Sequence, residues 1–94
     1  MPHWTPDSLS DIRQIWDFIA ADSESAADRT VLAITLAGDR LDALPRIGRF
    51  GLEPGTRELV VARTQYKLVY QLTNGEMVEI LRVLHGAQKW PPEG

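Results

Sequence analysis

Cysteine is absent from this chain, and its only two histidines, His3 and His85, lie at opposite ends. That excludes a disulfide framework, a thiolate metal centre and any zinc spacing, so the fold is expected to hold without a metal. No apolar run approaches the ~20 residues needed to cross a bilayer, and no signal-peptide pattern precedes Pro2. The cytosol is the expected location, with no membrane partner. At 94 residues the chain is one domain, near the lower size for an unaided core. It has little room for an enclosed small-molecule pocket or cofactor, so an open surface site is expected.

Charge is unevenly distributed. Residues 1–44 carry eight acids against Arg13, Arg29 and Arg40, whereas from residue 45 onward seven bases face five acids. The net charge of −3 therefore conceals a second half able to present a basic surface.

After a short extended start at residues 1–5, a candidate edge strand around Trp4, Thr5-Pro6-Asp7 reads as a helix entry, with Thr5 as N-cap and Pro6 at the first helical position. Leu9, Ile12, Ile15, Trp16 and Ile19 keep the spacing of one buried stripe, which places Trp16 in the core. Ser25, with Asp28 three residues on, resembles a capping box for a second helix, and Ser23 competes for the cap. That helix carries Ala27, Val31, Ile34, Leu41 and Leu44 on one face, so residues 6–44 should form an antiparallel helical hairpin. Residues 45–56 hold three glycines and two prolines and read as a mobile basic loop.

Three strands are expected at 57–63, 66–72 and 77–84. An Asn74-Gly75 two-residue turn would place Tyr70 opposite Glu79, Val69 opposite Ile80, Leu68 opposite Leu81 and Lys67 opposite Arg82. A Thr64-Gln65 turn would place Ala62 beside Lys67, Val60 beside Val69 and Glu58 beside Gln71. The other face would gather Leu59, Val61, Leu68, Tyr70 and Leu81 as a floor for the hairpin. Facing cations repel, so Lys67 and Arg82 require an anion: an internal carboxylate such as Glu58 or a helix acid, or one brought by a partner. The sheet ends in a tail, 85–94, where His85, Gln88, Lys89 and Trp90 follow at once.

The order helix, helix, glycine-rich loop, three strands resembles the RelE/ParE superfamily of type II toxin–antitoxin toxins over nearly the whole chain. The resemblance rests on Trp4-Thr5-Pro6, on residues 44–49 (L-P-R-I-G-R), 55–60 (G-T-R-E-L-V) and 66–70 (Y-K-L-V-Y), and on 80–91 (I-L-R-V-L-H-G-A-Q-K-W-P). The G-T-R-E-L-V and L-H-G-A-Q elements are similar to the ParE-like branch. It implies an α+β fold, a helical hairpin on a small antiparallel sheet of three or four strands, and a cognate antitoxin whose C-terminal segment folds onto the toxin. A RelE-like activity, cleavage of mRNA on the ribosome, would draw on Arg57, Lys67 and Arg82 for phosphate and on His85 for proton transfer. A ParE-like activity, poisoning of DNA gyrase, would need no catalytic centre. Arg46, Arg49, Arg57, Lys67, Arg82, His85, Gln88, Lys89 and Trp90 would then be candidates for contact with target or antitoxin. Because the loop offers Arg46 and Arg49 where RelE-like enzymes usually have lysines or a glutamate, and the tail offers Trp90 instead of a tyrosine, the ParE-like activity is favoured. His85 also has a structural alternative at the strand end, and Trp90 is expected first of all to pack on the sheet edge.

Overall fold

The computed structural model describes residues 1–74 and 76–92. Elements run β1 (His3–Trp4), α1 (Pro6–Ala20), α2 (Glu24–Ala43), β2 (Arg49–Phe50), β3 (Thr56–Val60), β4 (Tyr66–Thr73) and β5 (Met77–His85). One sheet, ordered β1-β5-β4-β3-β2, supports the helical hairpin on one face. The α+β arrangement is the expected one. The sheet is larger than expected by a two-residue strand, β2, from the glycine-rich loop, and β1 joins β5 in parallel, so the sheet is mixed.

Thr5 caps α1, its Oγ1 accepting from Ser8 N–H at 3.2 Å, and Pro6 takes the first turn, where its missing N–H costs nothing. The α1 face turned to the sheet is not the all-apolar stripe expected: Ser8, Asp11 and Ile15 are buried, Leu9 is exposed and Trp16 is half-buried. Trp16 instead ties the two helices together from outside the core, its Nε1 donating to Asp28 Oδ1 at 2.9 Å. Ser23, not Ser25, caps α2, because its hydroxyl reaches Ala26 N–H while Ser25 already lies in the first turn. On α2, Ala27, Ile34, Gly38 and Leu41 are buried, and Leu44, past the helix end, is exposed. A Cβ at Gly38 would overlap the Trp4 ring, so glycine there lets β1 tuck under the helix.

Both hairpin registers differ from expectation. Thr73 pairs with Met77, which leaves three residues in the turn instead of two. The expected turn itself falls partly on Gly75, outside the described residues. A second offset, a bulge, lies at Leu81: Tyr70 pairs with Ile80 but Val69 pairs with Arg82. Together they place Lys67 opposite Leu84, so the facing cation pair does not exist. In the first hairpin Val60 pairs with Lys67, Leu59 with Leu68 and Glu58 with Val69. Val61 N–H still reaches Tyr66 C=O, so the turn is the four residues 62–65, with Arg63 at φ 65°. Leu59, Val61, Leu68 and Tyr70 do floor the hairpin, with Val78, Ile80 and Val83. Leu81 leaves that face because the bulge shifts the alternation.

Candidate functional site

The bulge sets the surroundings of Arg82. It frees the carbonyl of Leu81, which Thr5 Oγ1 takes at 3.0 Å, while Thr5 N–H donates to Ile80 C=O at 3.1 Å. Beyond the end of β1 the first turns of α1 therefore seal the outer edge of β5. Asp11 completes the seal. Its Oδ2 accepts from Arg82 Nε at 2.7 Å and from Val83 N–H at 2.9 Å, and its Oδ1 accepts from Arg82 Nη2 at 2.9 Å. This bidentate bond holds the Arg82 guanidinium's pKa above its ordinary value.

Lys67 lies on the sheet face away from the helices, yet it is buried. Its Nζ contacts Glu58 Oε1 at 3.1 Å, and both side chains are nearly inaccessible. Arg49 Nη2 reaches the same oxygen from the rim at 3.5 Å. Internal carboxylates thus answer both cations: Glu58 for Lys67 and the helix acid Asp11 for Arg82.

Arg57 shares the face of its cross-strand partner Tyr70. Its Nη1 donates to the carbonyls of Arg46 at 3.1 Å and Gly48 at 2.8 Å, and its guanidinium stacks 4.4 Å from the Phe50 ring centre. The Tyr70 hydroxyl accepts from Gly48 N–H at 3.0 Å and donates to Pro45 C=O at 2.8 Å. Burial is the main reason its phenol is pushed above its ordinary pKa. A Cβ at Gly48 would sit 2.6 Å from that hydroxyl. Arg46 forms an ion pair with Glu76. The segment read as a mobile loop is a hydrogen-bonded collar around Arg57 and Tyr70.

His85 is exposed at the end of β5, its Nδ1 accepting from Ala87 N–H at 3.2 Å and its ring edge-on to Tyr66. The neutral imidazole therefore carries its proton on Nε2. A cleft of about 240 Å³ brings together Arg82, His85, Gln88, Tyr66 and Gln14. Trp90 is half-buried and lines a different hollow, of about 450 Å³, with Pro54, Thr56, Gln71 and Arg82. Lys89 is exposed in the tail. Of the four residues that an RNA-cleaving centre would draw on, Arg82 and His85 line this 240 Å³ cleft and Arg57 and Lys67 do not. Among the described residues no three acidic or histidine side chains gather as metal ligands would.

A further surface has no counterpart among the residues singled out from the sequence. The outer edge of β3 is paired with β2 only at Arg57 and Glu58. Beyond that point a trough opens between the sheet and α2, about 230 Å³, lined by Ala33, Leu36, Arg40, Leu59, Val60 and Ala62. It continues, through Ala33 and Ala62, into a hollow of about 440 Å³ with Arg29 and Arg63 on its wall. Leu32, Leu36 and Val60 are each more than half exposed. The signal in the sequence was Leu32 and Leu36, four apart and off the buried stripe. Asp11 was also legible, as an acid in the 3–4 spacing between Ser8 and Ile15.

Comparison with known proteins gives one answer. A solved structure, titled "Chromosomal ParDE TA system from P. aeruginosa", superposes with a TM-score of 0.71 at 22% identity, covering 88% of this chain and 91% of that one, and so shares the fold. A protein of Sinorhizobium fredii (strain NBRC 101917 / NGR234), named "Putative toxin Y4kP", is 40% identical over 88 residues, 94% of this chain and 90% of that protein. The family model described as "ParE toxin of type II toxin-antitoxin system, parDE" matches residues 3–90. The chain belongs to the ParE family of type II toxin–antitoxin toxins.

Proposed function

We propose that this protein inhibits growth by binding and arresting DNA gyrase in the cytoplasm, without a catalytic centre of its own, and that a cognate antitoxin neutralises it by filling the trough beside β3. The observation that carries the antitoxin half is the trough itself. An open strand edge beside exposed Leu32, Leu36 and Val60 is a surface on which an extended or helical segment buries apolar side chains and completes backbone hydrogen bonds. Arg29, Arg40 and Arg63 form no ion pair among the described residues, so acidic side chains on that segment would complement the rim. A disordered antitoxin tail meets both requirements by folding as it binds.

Support for the non-catalytic half comes from how the cations are used. Arg57 is held by two carbonyls and a phenyl ring, Lys67 by a buried carboxylate, and Arg82 by Asp11. A phosphodiester would compete with a partner already in place at each of them. The experiment is expression without the antitoxin, following ribosome-associated mRNA ends alongside gyrase supercoiling and DNA cleavage. Intact mRNA with stalled gyrase–DNA complexes is expected. Codon-positioned cuts that disappear in His85→Ala would instead establish RNA cleavage from the Arg82–His85 cleft.

A further inference from the structure

The collar described above is built with more care than a connection requires. Arg57 reaches the carbonyls of residues 46 and 48, Tyr70 holds Pro45 and Gly48, Gly48 has no room for a side chain, and Arg46 is tied to Glu76 across the sheet. Yet what the collar displays outward is apolar: Phe50 is 78% exposed, Leu52 67%, Leu44 46% and Ile47 38%. The Phe50 ring lies against the Arg57 guanidinium. In a chain with a net charge of −3, two arginines precede this tip, Arg46 paired with Glu76 and Arg49 with Glu58, their side chains still 56% and 74% exposed, and the exposed Glu53 follows it.

An exposed aromatic on a hydrogen-bonded loop, with two arginine side chains, each more than half exposed, just before it, has the properties of an interface anchor. Its conformational entropy is spent in folding, so docking need not order it again. From this we infer that the tip around Phe50 and Leu52 is the surface that meets the toxin's protein target, and that the matching patch is an apolar pocket edged by carboxylates. Complementary charge would steer the encounter and the phenyl ring would anchor it. The inference rests on the proposed function and adds which surface serves it. The trough beside Leu59–Ala62 is left for the antitoxin, so the two contacts lie on different stretches of the same sheet edge.

The test compares the wild-type chain, the double variant Phe50→Ala/Leu52→Ser, and Leu36→Glu in the trough. Each is expressed with and without antitoxin, and each is purified free of antitoxin for thermal unfolding, antitoxin binding and gyrase assay. The double variant leaves both carbonyl bonds of Arg57 in place, so it should fold and bind antitoxin. It should lose growth inhibition, and the concentration that half-inhibits supercoiling by purified gyrase should rise about tenfold or more. Leu36→Glu should behave oppositely, remaining inhibitory while resisting rescue. A folded double variant as inhibitory as wild type overturns this inference alone. A folded double variant that has lost antitoxin binding also overturns it, by assigning the tip to the antitoxin. Wild type that is harmless when expressed alone overturns both the inference and the function it rests on.

Discussion

Two cation–carboxylate pairs lie on or beside the same sheet face, and they are built differently. Asp11 reaches in from a helix and serves two elements at once, binding Arg82 through both oxygens and also the backbone of Val83. Glu58 lies within the sheet and meets Lys67 through one oxygen, which it shares with Arg49. The first pair finishes a strand edge that β1 is too short to cover. The second joins two strands that the ladder already joins. Burial alone therefore misjudges them: the Lys67 pair is the more buried, and the Arg82 pair carries more of the architecture.

Removing Asp11 is expected to have the largest effect. Asp11→Ala leaves a partly buried guanidinium without its counter-ion and a buried Val83 N–H without an acceptor, at a cost of about 4 kcal/mol. Asp11→Asn can still accept from Val83 N–H and should lose roughly half as much. Denaturant unfolding of the three proteins checks this. Equal losses for Asn and Ala would mean that the charge, and not the strand-edge bond, is what Asp11 supplies.

Glu58→Leu should cost less, about 3 kcal/mol, by stranding the buried Lys67 ammonium. The sharper arm is the double variant Glu58→Leu/Lys67→Met. Because the backbone ladder survives it, stability should return to within about 1 kcal/mol of wild type. The same exercise at the other pair, Asp11→Leu/Arg82→Met, should not recover, since Val83 N–H stays unsatisfied. Recovery at both sites would erase the distinction between them.

The contrast also marks what could be read in the sequence. The helical hairpin follows from local signals, Thr5-Pro6, Ser23 and apolar spacing, and these survive because caps and periodicity are properties of neighbouring residues. The strands were legible for the same reason. Their register was not, because one extra residue in the 74–76 turn and one at Leu81 each move the pairing by a step, and neither has a composition that announces it. The error reached function, since the supposed cation pair existed only in the shifted register. Long-range partners such as Asp11 with Arg82, 71 positions apart, leave little trace in a single sequence. The collar's order was hidden similarly: glycine and proline read as looseness until Arg57 and Tyr70, supplied by the sheet, give them bonds.

Tyr70 offers the smallest of the expected effects and a control free of formal charge. Its hydroxyl bridges Gly48 N–H and Pro45 C=O inside the fold, so Tyr70→Phe should cost about 1–2 kcal/mol at neutral pH by leaving that N–H unpaired. Alkali adds a second signature. Burial raises the folded-state pKa of this phenol above that of the unfolded chain, so the folded protein holds the proton more tightly. The associated stability is complete below the unfolded value of about 10 and is lost as pH climbs through the higher folded value. The difference in unfolding free energy between wild type and Tyr70→Phe should therefore be constant from neutral pH to about 9, then shrink as pH rises further. A difference that stays level across that range would mean that Tyr70 ionises as freely in the fold as outside it, and the collar would be open to water.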